Sequence, residues 1–302
     1  MKNQKFLLAA FAATAVMSCT SSEDEVMNGN EPVAVKFTAG NPASVNTRVT
    51  DASWAAGDSI GIYMVNETPG TLADGNIAEN VDNIRYNSTG GSGAVSFEDN
   101  GTKIFYPVSG NVKFVAYYPY TKSITGDYKY NFCVASQSSQ SAIDVLYAPA
   151  DATYGKNSNT PVKLPFKHQL VKLVFNISNG EGVTASLSGL AVEIDGQSPD
   201  GTLDLTDGTV TASGTAQDIS ALYTITNGSA ATYEAIVLPA ENAGKMLSFD
   251  NGTDAPFTAA IPHGEWKAGN KYTYTVTLQK SEADITGEIT EWTTNTGEVT
   301  AN

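Results

Sequence analysis

Two cysteines and two histidines in 302 residues leave almost no thiol or imidazole chemistry. A catalytic thiol needs a neighbouring base, and so few histidines make one hard to supply. Basic side chains are scarce as well, 17 against 32 acidic, giving a net charge of −15 and a pI near 4.4. Such a surface repels phosphate, so binding to nucleic acid by counterion release has no source. After residue 18 no apolar run is long enough to cross a bilayer core of about 30 Å as a helix, which takes roughly twenty residues. Sustained helical periodicity is missing there too, and the lack of a short fixed repeat argues against a solenoid or propeller. The sequence contains no GxSxG, HExxH or Walker loop, and no GxGxxG opening a helix. What it does contain is 41% apolar and 9% aromatic residues, too much hydrophobe for a disordered chain. The length suits about two domains of roughly 100–200 residues each.

The N-terminus carries an address. Lys2 and Lys5 precede an apolar run of twelve residues, Phe6 to Met17, with the pattern of an export signal over residues 1–18. The junction Val16-Met17-Ser18-Cys19 resembles a bacterial lipobox, in which the cysteine becomes the acylated first residue of the mature chain; ordinary secretory cleavage is the alternative. Residues 19–32, with Thr20-Ser21-Ser22-Glu23-Asp24-Glu25, form an acidic tether without apolar periodicity. It resembles the tract that sends lipoproteins to the outer leaflet of the outer membrane, and is otherwise a flexible spacer. With Cys19 acylated, only Cys133 remains, and no intramolecular disulfide can form. Cys133 alternates onto the same strand face as Lys129 and Asn131 and is read as structural.

From residue 33 onward a period of two dominates, the mark of strands with one buried face. Val33, Val35 and Phe37 form one stripe; Ile60, Ile62 and Met64 another. Val112, Phe114, Ala116 and Tyr118 follow, then Val171, Leu173, Phe175 and Ile177, then Leu190, Val192 and Ile194. Tyr272, Tyr274, Val276 and Leu278 alternate with threonines, a composition suited to a pleated surface. Turn formers at short spacing, such as Ser198-Pro199-Asp200-Gly201 and Thr206-Asp207-Gly208, separate these runs. The pattern predicts an all-β chain of antiparallel sandwiches, with an N-terminal domain over 33–162 and a C-terminal domain over 163–302. Asp200, Asp204 and Asp207 lack the spacing of a calcium loop, and Leu203 with Leu205 predicts a hairpin there instead. No carboxylate pair is singled out for glycoside hydrolysis. No metal or cofactor is expected.

Several strings occur in order: Trp54-Ala55-Ala56-Gly57-Asp58-Ser59-Ile60-Gly61-Ile62-Tyr63, Phe114-Val115-Ala116-Tyr117-Tyr118-Pro119, Leu164-Pro165-Phe166-Lys167-His168-Gln169-Leu170-Val171-Lys172-Leu173, Trp266-Lys267-Ala268-Gly269-Asn270-Lys271-Tyr272 and Ile289-Thr290-Glu291-Trp292. With the lipobox, this series resembles the fimbrillin family of Bacteroides-type surface lipoproteins and covers essentially the whole mature chain. Physically, the glycine-containing pairs are turns before strands, and Trp54, Trp266 and His168 are large groups closing sandwich edges.

The resemblance implies two tandem transthyretin-like antiparallel β-sandwich domains in a type V pilus subunit that supports adhesion. It implies a lipid anchor on Cys19 and cleavage by an arginine-specific protease at Arg48-Val49. The strand carrying Val33, Val35 and Phe37 would leave, and a neighbouring subunit would fill its place. The donor would be the C-terminal segment with Ile285, Ile289 and Trp292 and some of the tail to Asn302, a segment that could equally be the last strand of its own domain. Implied partners are identical or related pilin subunits, the protease, the outer membrane, and a host or bacterial surface glycan or protein. The reading is of a non-enzyme. Its rivals are an outer-membrane surface glycan-binding lipoprotein, with Trp54 or Trp266 as sugar platforms, and a secreted hydrolase.

Overall fold

The computed structural model describes residues 31–40, 53–91, 93–158, 160–184, 186–227, 230–252, 255–279 and 283–292. Ten strands come from the first half: β1 (Phe37–Ala39), β2 (Ser59–Asn66), β3 (Ile84–Ser88), β4 (Val95–Asp99), β5 (Asn111–Tyr118), β6 (Lys129–Cys133), β7 (Leu146–Ala148), β8 (Tyr154–Gly155), β9 (Val162–Lys163) and β10 (Lys167–His168). The second half adds β11 (Val171–Asn179), β12 (Ala191–Gln197), β13 (Asp200–Asp204), β14 (Val210–Ser213), β15 (Gln217–Ser220), β16 (Leu222–Asn227) and β17 (Ala230–Val237). It ends with β18 (Ala240–Glu241), β19 (Met246–Asp250), β20 (Phe257–Ala260), β21 (Glu265–Trp266), β22 (Asn270–Leu278) and β23 (Ala283–Glu291). Helix is confined, among the described residues, to single short turns. The fold is all-β.

A nine-stranded sheet runs β10-β7-β5-β2-β3-β4-β1-β9, with β8 against β5; a five-stranded sheet runs β16-β17-β11-β22-β23, and a four-stranded sheet β15-β12-β19-β20. Most pairings are antiparallel, as the short turns require. Two are parallel, β1 with β9 and β11 with β22. Parallel neighbours cannot be joined by a tight hairpin, and in both cases a long stretch of chain intervenes.

Two apolar clusters fill the interior. One gathers Phe37, Ile60, Ile62, Met64, Phe114 and Phe166 with their neighbours from residues 33–166. The other joins Tyr63, Val65, Val115 and Tyr117 to Leu173, Phe175, Tyr272, Tyr274 and Trp292. Alternate residues of β2 and β5 therefore enter different cores, and both strands are buried on both faces. The expectation of one buried face holds for strands such as β4, whose burial alternates, but fails for β2 and β5 because the second half of the chain covers their other side. β6 also reaches across, pairing antiparallel with β13 from Lys129–Asp204 to Cys133–Asp200.

Two glycines make room at these crossings. A Cβ on Gly61 would lie 2.2 Å from the ring of its cross-strand partner Tyr117, and one on Gly201 would lie 2.5 Å from the ring of Phe132. Only the missing side chain allows each aromatic ring to fold over its neighbour.

Candidate functional site

The N-terminal segment is built into the first sheet. Val35 and Phe37 are buried and Val33 is half-buried, while Lys36 between them is exposed. Phe37 is 1% exposed and packs edge-on against Tyr86 and Phe114, each with ring centroids 5.1 Å away. Burying Val and Phe side chains contributes about 1.5–3 kcal/mol each, so these three residues supply a sizeable share of the packing on this side of the sheet.

The backbone of the same segment is paired along both edges. On one side the Val35 amide donates to the Ile104 carbonyl at 2.9 Å and Tyr106 donates to Val33 at 2.9 Å. Further along, Phe37–Ala39 aligns antiparallel with Val95–Phe97. On the other side Val162 donates to Lys36 and Leu164 to Thr38, both at 2.8 Å. The indole of Trp54 closes the end by donating to the Gly40 carbonyl at 3.2 Å. A cavity of about 500 Å³ lies beside the segment, lined by Val35, Phe37, Tyr86, Phe97 and neighbouring residues.

The expected C-terminal donor lies at the edge of the five-stranded sheet. β23 runs antiparallel to β22 over its whole length, with Ile285 opposite Val276 and Ile289 opposite Tyr272. Ile285 packs against the core, whereas Ile289 is 48% exposed. Trp292 is buried; its amide donates to Gly269 at 2.6 Å and its ring stacks on His168. His168 in turn places Nδ1 2.9 Å from the Asp144 carboxylate. In this state the segment is the last strand of its own sheet, the second of the two arrangements the sequence left open.

Cys19, Arg48 and Val49 lie outside the described residues. Cys133 is exposed on β6. A backbone hydrogen bond with Ala135 favours its thiolate, but burial and the nearby Asp200 carboxylate outweigh it and push the thiol up. The Asp200–Gly208 segment forms the expected hairpin, β13 with β14. Its acids are occupied locally: Asp204 accepts from Thr206 and pairs with Lys129, and Asp207 accepts from Thr209. Among the described residues no three metal-ligating side chains are gathered.

The rival sugar platforms are overturned by burial. Trp54 is 3% exposed and Trp266 is 0% exposed. Trp54 is enclosed by the rings of Phe97, Tyr118 and Phe166, and Trp266 donates its indole N–H to the Tyr274 hydroxyl at 2.8 Å. Neither presents a ring face to solvent.

Sequence reading also missed a polar cluster at the junction of the halves. The Gln137 side-chain amide donates to the Ile236 carbonyl at 2.9 Å and accepts from the Ile236 amide at 2.8 Å, as a strand neighbour would. Gln140 accepts at 2.8 Å from Lys172, whose ammonium lies 2.8 Å from the Glu234 carboxylate. The period-two pattern of β11 assigns Lys172 to a solvent face, and only the covering segment 134–140 makes that face an interior.

The chain is thus an all-β protein whose leading segment is paired along both edges within the first sheet. Residues 47–292 match the model of the Fimbrillin-like family, and the chain belongs to it. A Bacteroides uniformis protein that carries the name fimbrium subunit Fim1C is 33% identical over 98% of this chain and 97% of its own length. A crystal structure of a cell adhesion protein from Bacteroides uniformis superposes with a TM-score of 0.68 at 31% identity, covering 86% of this chain and 98% of that one. One from Bacteroides ovatus gives 0.65 at 22% identity over 87% and 98%, a likeness of fold. The family is one of fimbrial subunits, which places the chain in a cell-surface appendage.

Proposed function

We propose that this chain is a structural pilus subunit, exported as a lipoprotein on Cys19 and activated by cleavage at Arg48-Val49 with an arginine-specific protease. The cut releases the lipid anchor and the segment carrying Val33, Val35 and Phe37 together. The observation that carries this reading is the burial of Phe37 within a segment paired on both edges and attached to the following strand only through the Arg48-containing stretch. Its departure exposes Tyr86, Phe97 and Phe114 along with unpaired backbone groups, an edge that accepts another strand. The occupant comes from the C-terminal segment of a second subunit, with Ile285, Ile289, Trp292 and the tail to Asn302. Donation by this segment requires Trp292 to leave His168.

On this reading the halves 33–162 and 163–302 are the tandem transthyretin-like sandwiches of the subunit. Before cleavage, several acyl chains on Cys19, each buried CH₂ contributing about 0.8 kcal/mol, hold it at the outer membrane.

The test is treatment of purified precursor with an arginine-specific protease. Wild-type protein gives subunit ladders on SDS gels, and Arg48→Ala stays monomeric. Wild-type protein that is fully cut at Arg48 yet remains monomeric contradicts the proposal.

A further inference from the structure

Cleavage at Arg48-Val49 separates two groups that are hydrogen-bonded in the precursor. Trp54 becomes the sixth residue of the chain that remains. The Gly40 carbonyl, which accepts the Trp54 indole N–H at 3.2 Å, departs with the leading segment. An indole nitrogen donates one hydrogen bond and accepts none, so the cut removes the acceptor of this group. Trp54 is only 3% exposed. A strand that refills the groove without offering an acceptor at this point would leave a buried donor unpaired, which is costly.

What holds the indole in place does not leave. Its ring stands edge-on to Phe97 of β4 and Tyr118 of β5, with centroids 5.1 and 5.3 Å away, and tilted against Phe166 at 5.3 Å. The Trp54 carbonyl accepts from the Gly91 amide at 3.1 Å. The turn that follows is closed on itself: the Ala55 amide donates to the Asp58 carboxylate at 2.8 Å, and the Asp58 amide donates to the Ala55 carbonyl at 3.1 Å. Gly57 supplies the left-handed φ of 92° within that turn, a conformation open to glycine at no steric cost. Gly90 lets the turn sit close, since a Cβ there would lie 2.7 Å from the Ala56 nitrogen. All these groups lie beyond Val49 in the chain. The N–H is therefore a fixed donor at one end of the groove, ordered before the next strand arrives.

The geometry selects a main-chain carbonyl as the partner. In the precursor the indole meets the backbone of the segment in the groove, next to Phe37 and Ala39, whose side chains are buried. Carbonyls along a strand point alternately to its two edges, and side chains alternately to its two faces. A slip of one residue would turn the carbonyl away from Trp54 and swing the apolar side chains out of the groove. On the strand-exchange reading, we propose that Trp54 is a positioning residue for the incoming strand. Its N–H takes a backbone carbonyl of the donor at the place of Gly40, and so fixes how far the donor enters and in which register.

The test follows the Trp54 indole proton by NMR in three states: the precursor, the freshly cut subunit, and the cut subunit bound to a synthetic peptide of residues 283–302. Trp54→Phe assigns the resonance. Exchange with solvent should be slow in the precursor, about tenfold or more faster in the cut subunit, and slow again with the peptide. Trp54→Phe, which keeps an aromatic ring and removes the N–H, should be cut like wild type yet bind the peptide about three- to tenfold more weakly. The exchange measurement uses the wild-type chain and carries the test if Trp54→Phe lowers the melting temperature. A cut wild-type subunit that does not bind the peptide overturns donation by the C-terminal segment, and this role with it. Peptide binding that leaves the indole proton exchanging as in the empty subunit, or that Trp54→Phe matches, leaves strand exchange standing and overturns the role of Trp54 alone.

Discussion

Trp292 lies flat on His168, with ring centroids 3.7 Å apart and planes within 10° of parallel. The pair joins the end of β23 to β10, and so ties the C-terminal strand to the connection between the two halves. Because Trp292 is only 5% exposed, its removal leaves a cavity as well as a lost stack.

Trp292→Ala is therefore expected to destabilise the chain by about 3–5 kcal/mol. Hydrogen exchange should locate the effect, with protection falling first across Ala283–Glu291. Unchanged protection there would mean that the stack does not hold the strand.

Phe37→Ala separates precursor from processed subunit. In the precursor the substitution removes a buried ring and should cost about 3–5 kcal/mol by urea unfolding. After cleavage at Arg48 the residue has departed, so cut variant and cut wild type should have the same stability.

The Lys172–Glu234 pair should be intolerant of single changes and tolerant of a joint one. The side chains of Lys172 and Glu234 are 0% and 6% exposed. Lys172→Met leaves a buried carboxylate without its counter-charge, a loss of about 3–5 kcal/mol for such pairs. Combining it with Glu234→Leu should restore most of that loss, as measured by chemical denaturation.

Asp204 sets a pH dependence. Burial alone would raise its carboxyl, but hydrogen bonds from Lys129 and Thr206 outweigh that and hold it below the ordinary carboxylate range. The charged form thus contributes stability above the ordinary value, near pH 4, and the contribution is lost as pH falls through the lowered one. Asp204→Asn should lower the melting temperature at pH 7, where the charged form contributes in full, and the difference from wild type should shrink as the pH falls through the lowered value.

Much of this architecture was legible because alternation reports burial directly. Val171–Asn179, Asn270–Leu278 and Asn111–Tyr118 are strands where their apolar stripes place them, and Val35 and Phe37 point inward as their spacing requires. Strand pairing over long separations was not legible. The parallel contacts of β1 with β9 and β11 with β22 and the joining of β6 to β13 depend on register set by tertiary packing. The same limit hid Lys172, polar in pattern yet enclosed. It also hid the open cavity beside Tyr63, which is lined from residue 63, residue 74, residues 82–83 and residues 120–128. Trp54 and Trp266 are enclosed, as large groups closing an edge should be, and only the rival reading of them as sugar platforms fails, since an aromatic residue in a turn motif does not reveal which way its ring faces.

The most direct measurement is the N-terminal residue of the subunit recovered from assembled surface fibres. Removal of the leading segment predicts Val49. Acylated Cys19 on subunits within the polymer would contradict the account.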